Sequence, residues 1–187
     1  VAVHVHSRRF GTFDVPSDRI LHFPQGLIGF PGGRRYVIVD HRPGSPFKWL
    51  LSIDDPELGF AVANPYELVA EDNPPLELAA RLLATDPAEV ALFVVVTIPS
   101  DPMRMTVNLM APVAVDLRTR TARQIVLDDP NFPQAYALLS QWPAAASRTM
   151  PAAAAWICGA LRRQQPDLRR FDADFDLSAG FEFNVAA

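Results

Sequence analysis

Cysteine is almost missing from this sequence: Cys158 stands alone among 187 residues. A lone cysteine excludes an internal disulfide framework and a multi-cysteine zinc site, and it agrees with a reducing compartment. Long hydrophobic runs are missing too. No stretch reaches the ~18 uninterrupted apolar residues of a membrane-spanning helix, and no basic-plus-apolar leader opens the chain. A cytoplasmic protein without membrane contact is expected. There is no G-x-S-x-G elbow, no glycine-rich phosphate loop and no Cys/His nucleophile pattern, so neither catalysis nor a cofactor is expected. Bases are scarce between residues 54 and 101, where ten acids face one base, Arg81. A field of that sign repels a phosphate backbone; it reads either as a solvated acidic surface or as the face for a basic protein partner.

What the chain does have is enough apolar content to fold. Hydrophobic residues make up 49% and charged residues 20%, with 18 prolines, which implies one globular domain of many short elements with sharp stops. Period-2 alternation dominates. Val1, Val3 and Val5 alternate with polar or small residues, and a second alternating run covers 10–15. Further strands are expected at 20–23, 36–40, 47–53, 58–64, 90–98, 105–117 and 122–127, nine in all, which suggests a barrel or sandwich. The run 91–96 is apolar on both faces and reads as a central strand covered on each side. Leu76, Leu78, Ala79, Leu82 and Leu83, after Pro74-Pro75, form the apolar face of one covering helix. Asp86-Pro87-Ala88-Glu89 reads as a capping box opening at most a turn.

Two patterns imitate chemistry. His4 and His6 share a strand face but lack a third ligand, so they read as exposed edge histidines. Asp54-Asp55 and Asp128-Asp129 have the composition of an acid–base pair, yet each immediately precedes a proline, where aspartate opens turns. Asn64-Pro65 and Asp101-Pro102 repeat that punctuation.

The phrases that stand out are Arg9-Phe10-Gly11; Ile20-Leu21-His22-Phe23-Pro24-Gln25-Gly26-Leu27-Ile28-Gly29-Phe30; Ser45-Pro46-Phe47 with Trp49-Leu50; Asp54-Asp55-Pro56; Phe60; Asn64-Pro65; Val96-Thr97-Ile98-Pro99; Met105-Thr106-Val107-Asn108-Leu109-Met110-Ala111-Pro112; and Gln124-Ile125-Val126-Leu127-Asp128. In this order and spacing, over about residues 7–140, the chain resembles the FliW family of flagellar assembly factors. Within the long phrase, Pro24-Gln25-Gly26 and Gly29 are turn-makers, and Phe23, Leu27 and Phe30 have the size to plug a barrel end. The resemblance implies a non-catalytic protein that binds flagellin and the RNA-binding translational repressor CsrA. Flagellin held by the antagonist leaves CsrA free to repress, and secretion of flagellin releases the antagonist to bind CsrA. An acidic surface independently suits a basic RNA-binding partner. The rival reading is a small barrel that binds RNA directly, which calls for a basic stripe with exposed aromatics. Partner contact is expected at Asp54, Asp55, Glu57 and Asp101 for encounter, with Asn64 nearby in the motif order. Trp49 and Phe60 read either as apolar contacts or as core.

The expected organisation is a mostly β, barrel-like antiparallel domain with one covering helix over residues 1–140, and a C-terminal extension, helix plus hairpin, over 141–187 packed on it. Residues 151–163 have helical composition and contain Cys158. Phe171, Ala173, Phe175 and Leu177 alternate with Asp172, Asp174 and Asp176, and Phe181, Phe183 and Val185 alternate again after Ser178-Ala179-Gly180. The aspartates lack the glycine and closing glutamate of a calcium loop. This apolar stripe reads as packed on its own barrel, laid over a partner-binding surface, or exchanged between two chains; a monomer is the first expectation and a homodimer through the extension the alternative.

Overall fold

The computed structural model describes residues 1–41, 45–68, 74–101 and 104–138. Alternating side chains make β1 (Ala2–Ser7) and β2 (Gly11–Pro16) an antiparallel hairpin, with Ala2 opposite Pro16 and Ser7 opposite Gly11. The other strands form one antiparallel sheet: β3 (Leu21–His22), β4 (Arg35–Asp40), β5 (Phe47–Ser52), β6 (Gly59–Ala63), β7 (Val90–Thr97), β8 (Thr106–Asp116), β9 (Ala122–Gln124) and β10 (Tyr136–Ala137). Their order is β10-β8-β7-β6-β5-β4-β3, with β9 also on β8. A bridge between His22 and Thr121, in which the His22 N–H donates to the Arg120 carbonyl at 2.8 Å, brings β3 round to the start of β9. The sheet therefore curls on itself, and the mostly β, barrel-like class expected from alternation is the observed one. Helices are short: α1 (Pro65–Leu68), α2 (Leu76–Leu83) and single 3₁₀ turns at Ser17–Arg19 and Pro87–Glu89.

The concave face holds Phe23, Tyr36, Leu50, Val62, Phe93 and Val113, all nearly sealed from solvent. Three smaller clusters wrap the convex face. Ala79 and Ala80 of α2 press on Leu92 and Ala114, so the 91–96 run is covered on both sides as its composition requires. Leu68 of α1 and the partly buried Phe132 pack over Val94, Val107 and Leu109. Val5 and Val15 pack on Val37, Val39 and Leu51. A lone two-stranded hairpin is marginal in water, so β1–β2 depends on this last cluster, where each buried large side chain contributes about 1.5–3 kcal/mol.

The phrase Asn108-Leu109-Met110-Ala111-Pro112 marks a large irregularity. Phe93 pairs with Val113, yet Val95 pairs with Asn108, so four residues of β8 stand opposite Val94 alone. Their backbone groups go elsewhere. Asn108 Oδ1 accepts the Ala111 N–H at 3.0 Å, the Ile125 and Leu127 N–H groups reach the Pro112 and Met110 carbonyls, and the Leu109 N–H reaches the Pro133 carbonyl. Such a bulge bends the strand and increases twist, which is what a tightly curled sheet needs. It also explains why β9 stops at Gln124 although alternation predicts a strand to 127: residues 125–127 hydrogen-bond to the bulge instead of to a regular ladder.

Several expectations shift. Among the described residues ten strands form where nine are expected, because β10 is a two-residue pairing after Pro133 with no periodicity of its own. Phe10 lies in the β1–β2 turn, since β2 opens at Gly11. Phe23 and Leu27 plug the barrel as expected, but Phe30 is 42% exposed and instead stacks edge-on against Phe60 at 5.3 Å between ring centroids. Gly26, at φ +70°, permits that loop; a Cβ there would sit 2.8 Å from the Phe30 carbonyl oxygen. The division at residue 140, the helix containing Cys158 and the C-terminal hairpin lie outside the described residues.

Tyr36 is fully buried, and its hydroxyl has no hydrogen-bond partner among the described residues. Burial, with the charges of Asp54 and Asp55, pushes its pKa above the ordinary value. Tyr36→Phe is expected to leave stability unchanged or raise it by about 1 kcal/mol in urea denaturation, because it removes an unpaired buried group. Gly33→Ala places a Cβ 2.4 Å from that hydroxyl and is expected to cost about 1–3 kcal/mol, less in a Tyr36→Phe background. A destabilised Tyr36→Phe chain contradicts this reading.

Candidate functional site

Proline has no N–H, so after an Asp-Pro or Asn-Pro pair the first amide an Asx side chain can take is the one beyond the proline. Among the described residues the fold uses this four times. Asp55 Oδ1 accepts from Glu57 at 2.9 Å, Asn64 from Tyr66 at 3.0 Å, Asp86 from Ala88 at 2.9 Å and Asp129 from Asn131 at 2.9 Å. Asp55 and Asp129 are thus turn-formers, as their position before proline predicts. His4 and His6 are exposed on β1, His4 against Asp14 and His6 Nδ1 2.8 Å from Thr12 Oγ1. Among the described residues no group of three or more His, Cys, Asp or Glu side chains is placed to hold a metal ion, and no helix is long and apolar enough to cross a membrane.

Asp54 differs from its neighbours. Its Oδ2 accepts the backbone N–H groups of Arg34 at 3.0 Å and Arg35 at 2.9 Å, and its Oδ1 takes Arg35 Nε at 2.8 Å and the terminal guanidinium nitrogen at 2.7 Å. One carboxylate therefore clamps the β5–β6 turn to the start of β4. Partial burial opposes ionisation, but the donors from Arg34 and Arg35 and the guanidinium charge outweigh it and hold the Asp54 carboxyl below its ordinary pKa. Ser52 Oγ accepts the Asp54 and Asp55 N–H groups beneath it.

Strand directions decide which predicted residues meet. Because β3 to β8 alternate in direction, the β3–β4, β5–β6 and β7–β8 connections emerge at one end of the sheet, here the turn end. Asp54, Asp55, Glu57 and Asp101 all lie there. Asn64 follows the opposite end of β6, where it caps α1. Trp49 pairs with Ala61 and Phe60 with Leu50, so Trp49 and Phe60 occupy opposite faces. Both are half-buried, between the two roles their composition allows. The ten acids also divide. Glu67 follows the far end of β6, Asp86 and Glu89 precede β7 there, Arg35 neutralises Asp54, and Arg8 meets Glu57 at 2.6 Å. The unbroken acidic field read from linear order is thus reduced, at the turn end, by arginines contributed from outside the segment.

No local pattern assigns the β1–β2 turn a role, although Arg9-Phe10-Gly11 stands out as a phrase. The Arg9 guanidinium lies over the Trp49 ring, 4.4 Å from its centroid, and Phe10 meets the same ring edge-on at 5.4 Å. The indole N–H donates to His41 Nδ1 at 3.1 Å. Between this turn and the β5–β6 turn opens a cleft of about 360 Å³, with Leu51 and Leu58 among its apolar lining and Arg8, Arg9 and Glu57 among its charged lining.

Residues 4–138 match the family model described as FliW protein. The chain is 37% identical to the flagellar assembly factor FliW of Caldicellulosiruptor saccharolyticus over 136 residues, 72% of this chain and 89% of that protein. It is 38% identical over 132 residues to the factor of the same name from Bdellovibrio bacteriovorus, covering 68% and 74% of the two chains. A crystal structure of the flagellar assembly factor FliW superposes with a TM-score of 0.66 at 24% identity, over 75% of this chain and all of that one, so the two share a fold.

The Asp54 clamp has a signed pH dependence. A carboxyl whose folded pKa is depressed contributes stability that is complete above its unfolded value of about 3.9 and is lost as pH falls through the folded value. Asp54→Asn is expected to lower stability by about 1–2 kcal/mol at pH 7, and the gap between variant and parent is expected to close on acidification from pH 5 to pH 2.5. Thermal melts across that range check it; a gap independent of pH contradicts the clamp.

Proposed function

Because the chain belongs to the FliW family of flagellar assembly factors, we propose that it acts in the cytoplasm as a non-catalytic regulator that binds flagellin and antagonises the RNA-binding repressor CsrA. The observation that carries this reading is the extent of the family match, which runs from β1 through β10 and so includes every loop at the turn end. The charge arrangement supports a protein partner over RNA. Arg8, Arg35 and Lys48 are each held by a carboxylate of the same chain, so these three cations are not offered to a phosphate backbone. Asp55 and Asp101 then serve encounter with a basic partner, while Glu57 is already paired with Arg8. Phe60, with Phe30 stacked on it, supplies apolar contact at this end, where the β3–β4 and β7–β8 connections also expose Ile28 and Ile98. Asn64 caps α1 and stands apart from this face.

Recovery of a tagged chain from its own cells is expected to bring down flagellin and CsrA; RNA without either protein favours direct RNA binding and contradicts the proposal. A finer test exploits the Asx turns. Asn keeps the Oδ1 acceptor that Asp55 offers the Glu57 N–H and removes only charge, so Asp55→Asn is expected to leave the melting temperature nearly unchanged, and Asp101→Asn is added to remove a second carboxylate charge from the same end. Association with CsrA is expected to slow several-fold at low salt, with the difference vanishing at about 0.5 M salt. Equal association rates at low salt contradict a role for these two charges.

A further inference from the structure

We propose that the cleft between the β1–β2 and β5–β6 turns receives residues 171–177 of the same chain. The cleft has the chemistry of an acidic, apolar peptide receptor. Leu51, Leu58 and the Trp49 ring make its walls apolar, and Arg8 already neutralises Glu57. Arg9 is left as the rim cation. Its guanidinium lies over the indole ring, and among the described residues none of its N–H groups reaches a carboxylate. A guanidinium held over a ring can still offer N–H groups to a carboxylate at its edge, where arginine binds in bidentate fashion. A matching ligand carries carboxylates on one side and apolar groups on the other.

The chain contains such a segment. Asp172, Asp174 and Asp176 alternate with Phe171, Ala173, Phe175 and Leu177. In extended conformation the three carboxylates share one side, about 6.6–6.8 Å apart, and the apolar groups take the other. Path length permits the contact. The Leu138 N–H donates to the Met105 carbonyl, so the chain passes beyond β10 at the turn end, where the cleft also opens. The 33 residues from there to Phe171 span up to about 110 Å, against about 35 Å for the width of a domain this size. Docking would cover Trp49 and Glu57, so the segment competes with any protein that uses that face. The inference holds whichever partners the barrel has.

The test uses the full chain. Cys158→Ser with Ser178→Cys moves the single thiol beside the segment, where it carries a nitroxide; Cys158→Ala serves if serine lowers the melting temperature. In the isotope-labelled protein, amide signals of Ser7, Arg9 and Gly59 are expected to lose more than half their intensity. They are expected to recover at 0.5 M salt and after Asp172→Asn, Asp174→Asn and Asp176→Asn together. Unperturbed cleft signals overturn the proposal. So does broadening that appears only when the nitroxide is on a second, unlabelled chain, which assigns the contact to a dimer.

Discussion

The fold depends on how β8 spends four residues opposite Val94. A strand that kept regular register along β7 would leave the sheet open and the 124–133 segment without backbone partners. The bulge at residues 109–112 turns carbonyls and N–H groups outward, where Ile125, Leu127 and Pro133 take them. That arrangement carries the chain round to Thr121 and the bridge with His22. With the sheet curled, the loop after β3 can place Phe23 and Leu27 in the interior, and the three hairpin connections gather at one end. Asp54 then ties two of them together through Arg34 and Arg35.

Electrostatics at that end follow from the same geometry. Asp54, Asp55 and Glu57 each have a backbone duty or a guanidinium partner, so the face presents pairs and Asx turns more than a bare negative field. Exposed ion pairs of the Arg8–Glu57 kind contribute little to stability, about 0–1 kcal/mol, and their positions matter more for which surfaces approach. Beside them lie the Phe30–Phe60 stack on one face and the Trp49 cleft on the other. Two distinct surfaces are therefore available to a protein expected to serve two partners.

Much of the fold was legible because its strands alternate and its turns are spelled with Asx-Pro. Val3 and Val5, the two-sided apolar run 91–96 and the helix residues Leu76, Leu78, Ala79 and Leu83 keep their expected roles, whereas Leu82 is exposed and Ala80 packs on the sheet instead. The helix is eight residues, and Asp86 caps a single turn. What was illegible depends on registers and on partners distant in sequence. Nothing local tells that Leu50 pairs with Phe60 and Ala61 with Trp49, which puts the two aromatics on opposite faces. Nothing local tells that Glu57 will meet an arginine 49 residues earlier, or Asp54 one 19 residues earlier. Counting charge along the chain therefore overstated the acidity of the turn end, and the Arg9-Phe10-Gly11 phrase was visible without its indole.

The central claim is that this barrel acts on protein and not on RNA. It is tested most directly by adding the purified chain to a complex of CsrA with a labelled fragment of flagellin messenger RNA and following anisotropy. The account predicts that anisotropy falls to that of free RNA as CsrA is withdrawn, that added flagellin restores the complex, and that the chain alone leaves the RNA signal unchanged. A rise in anisotropy with the chain alone, or no release of CsrA at saturating concentration, contradicts it.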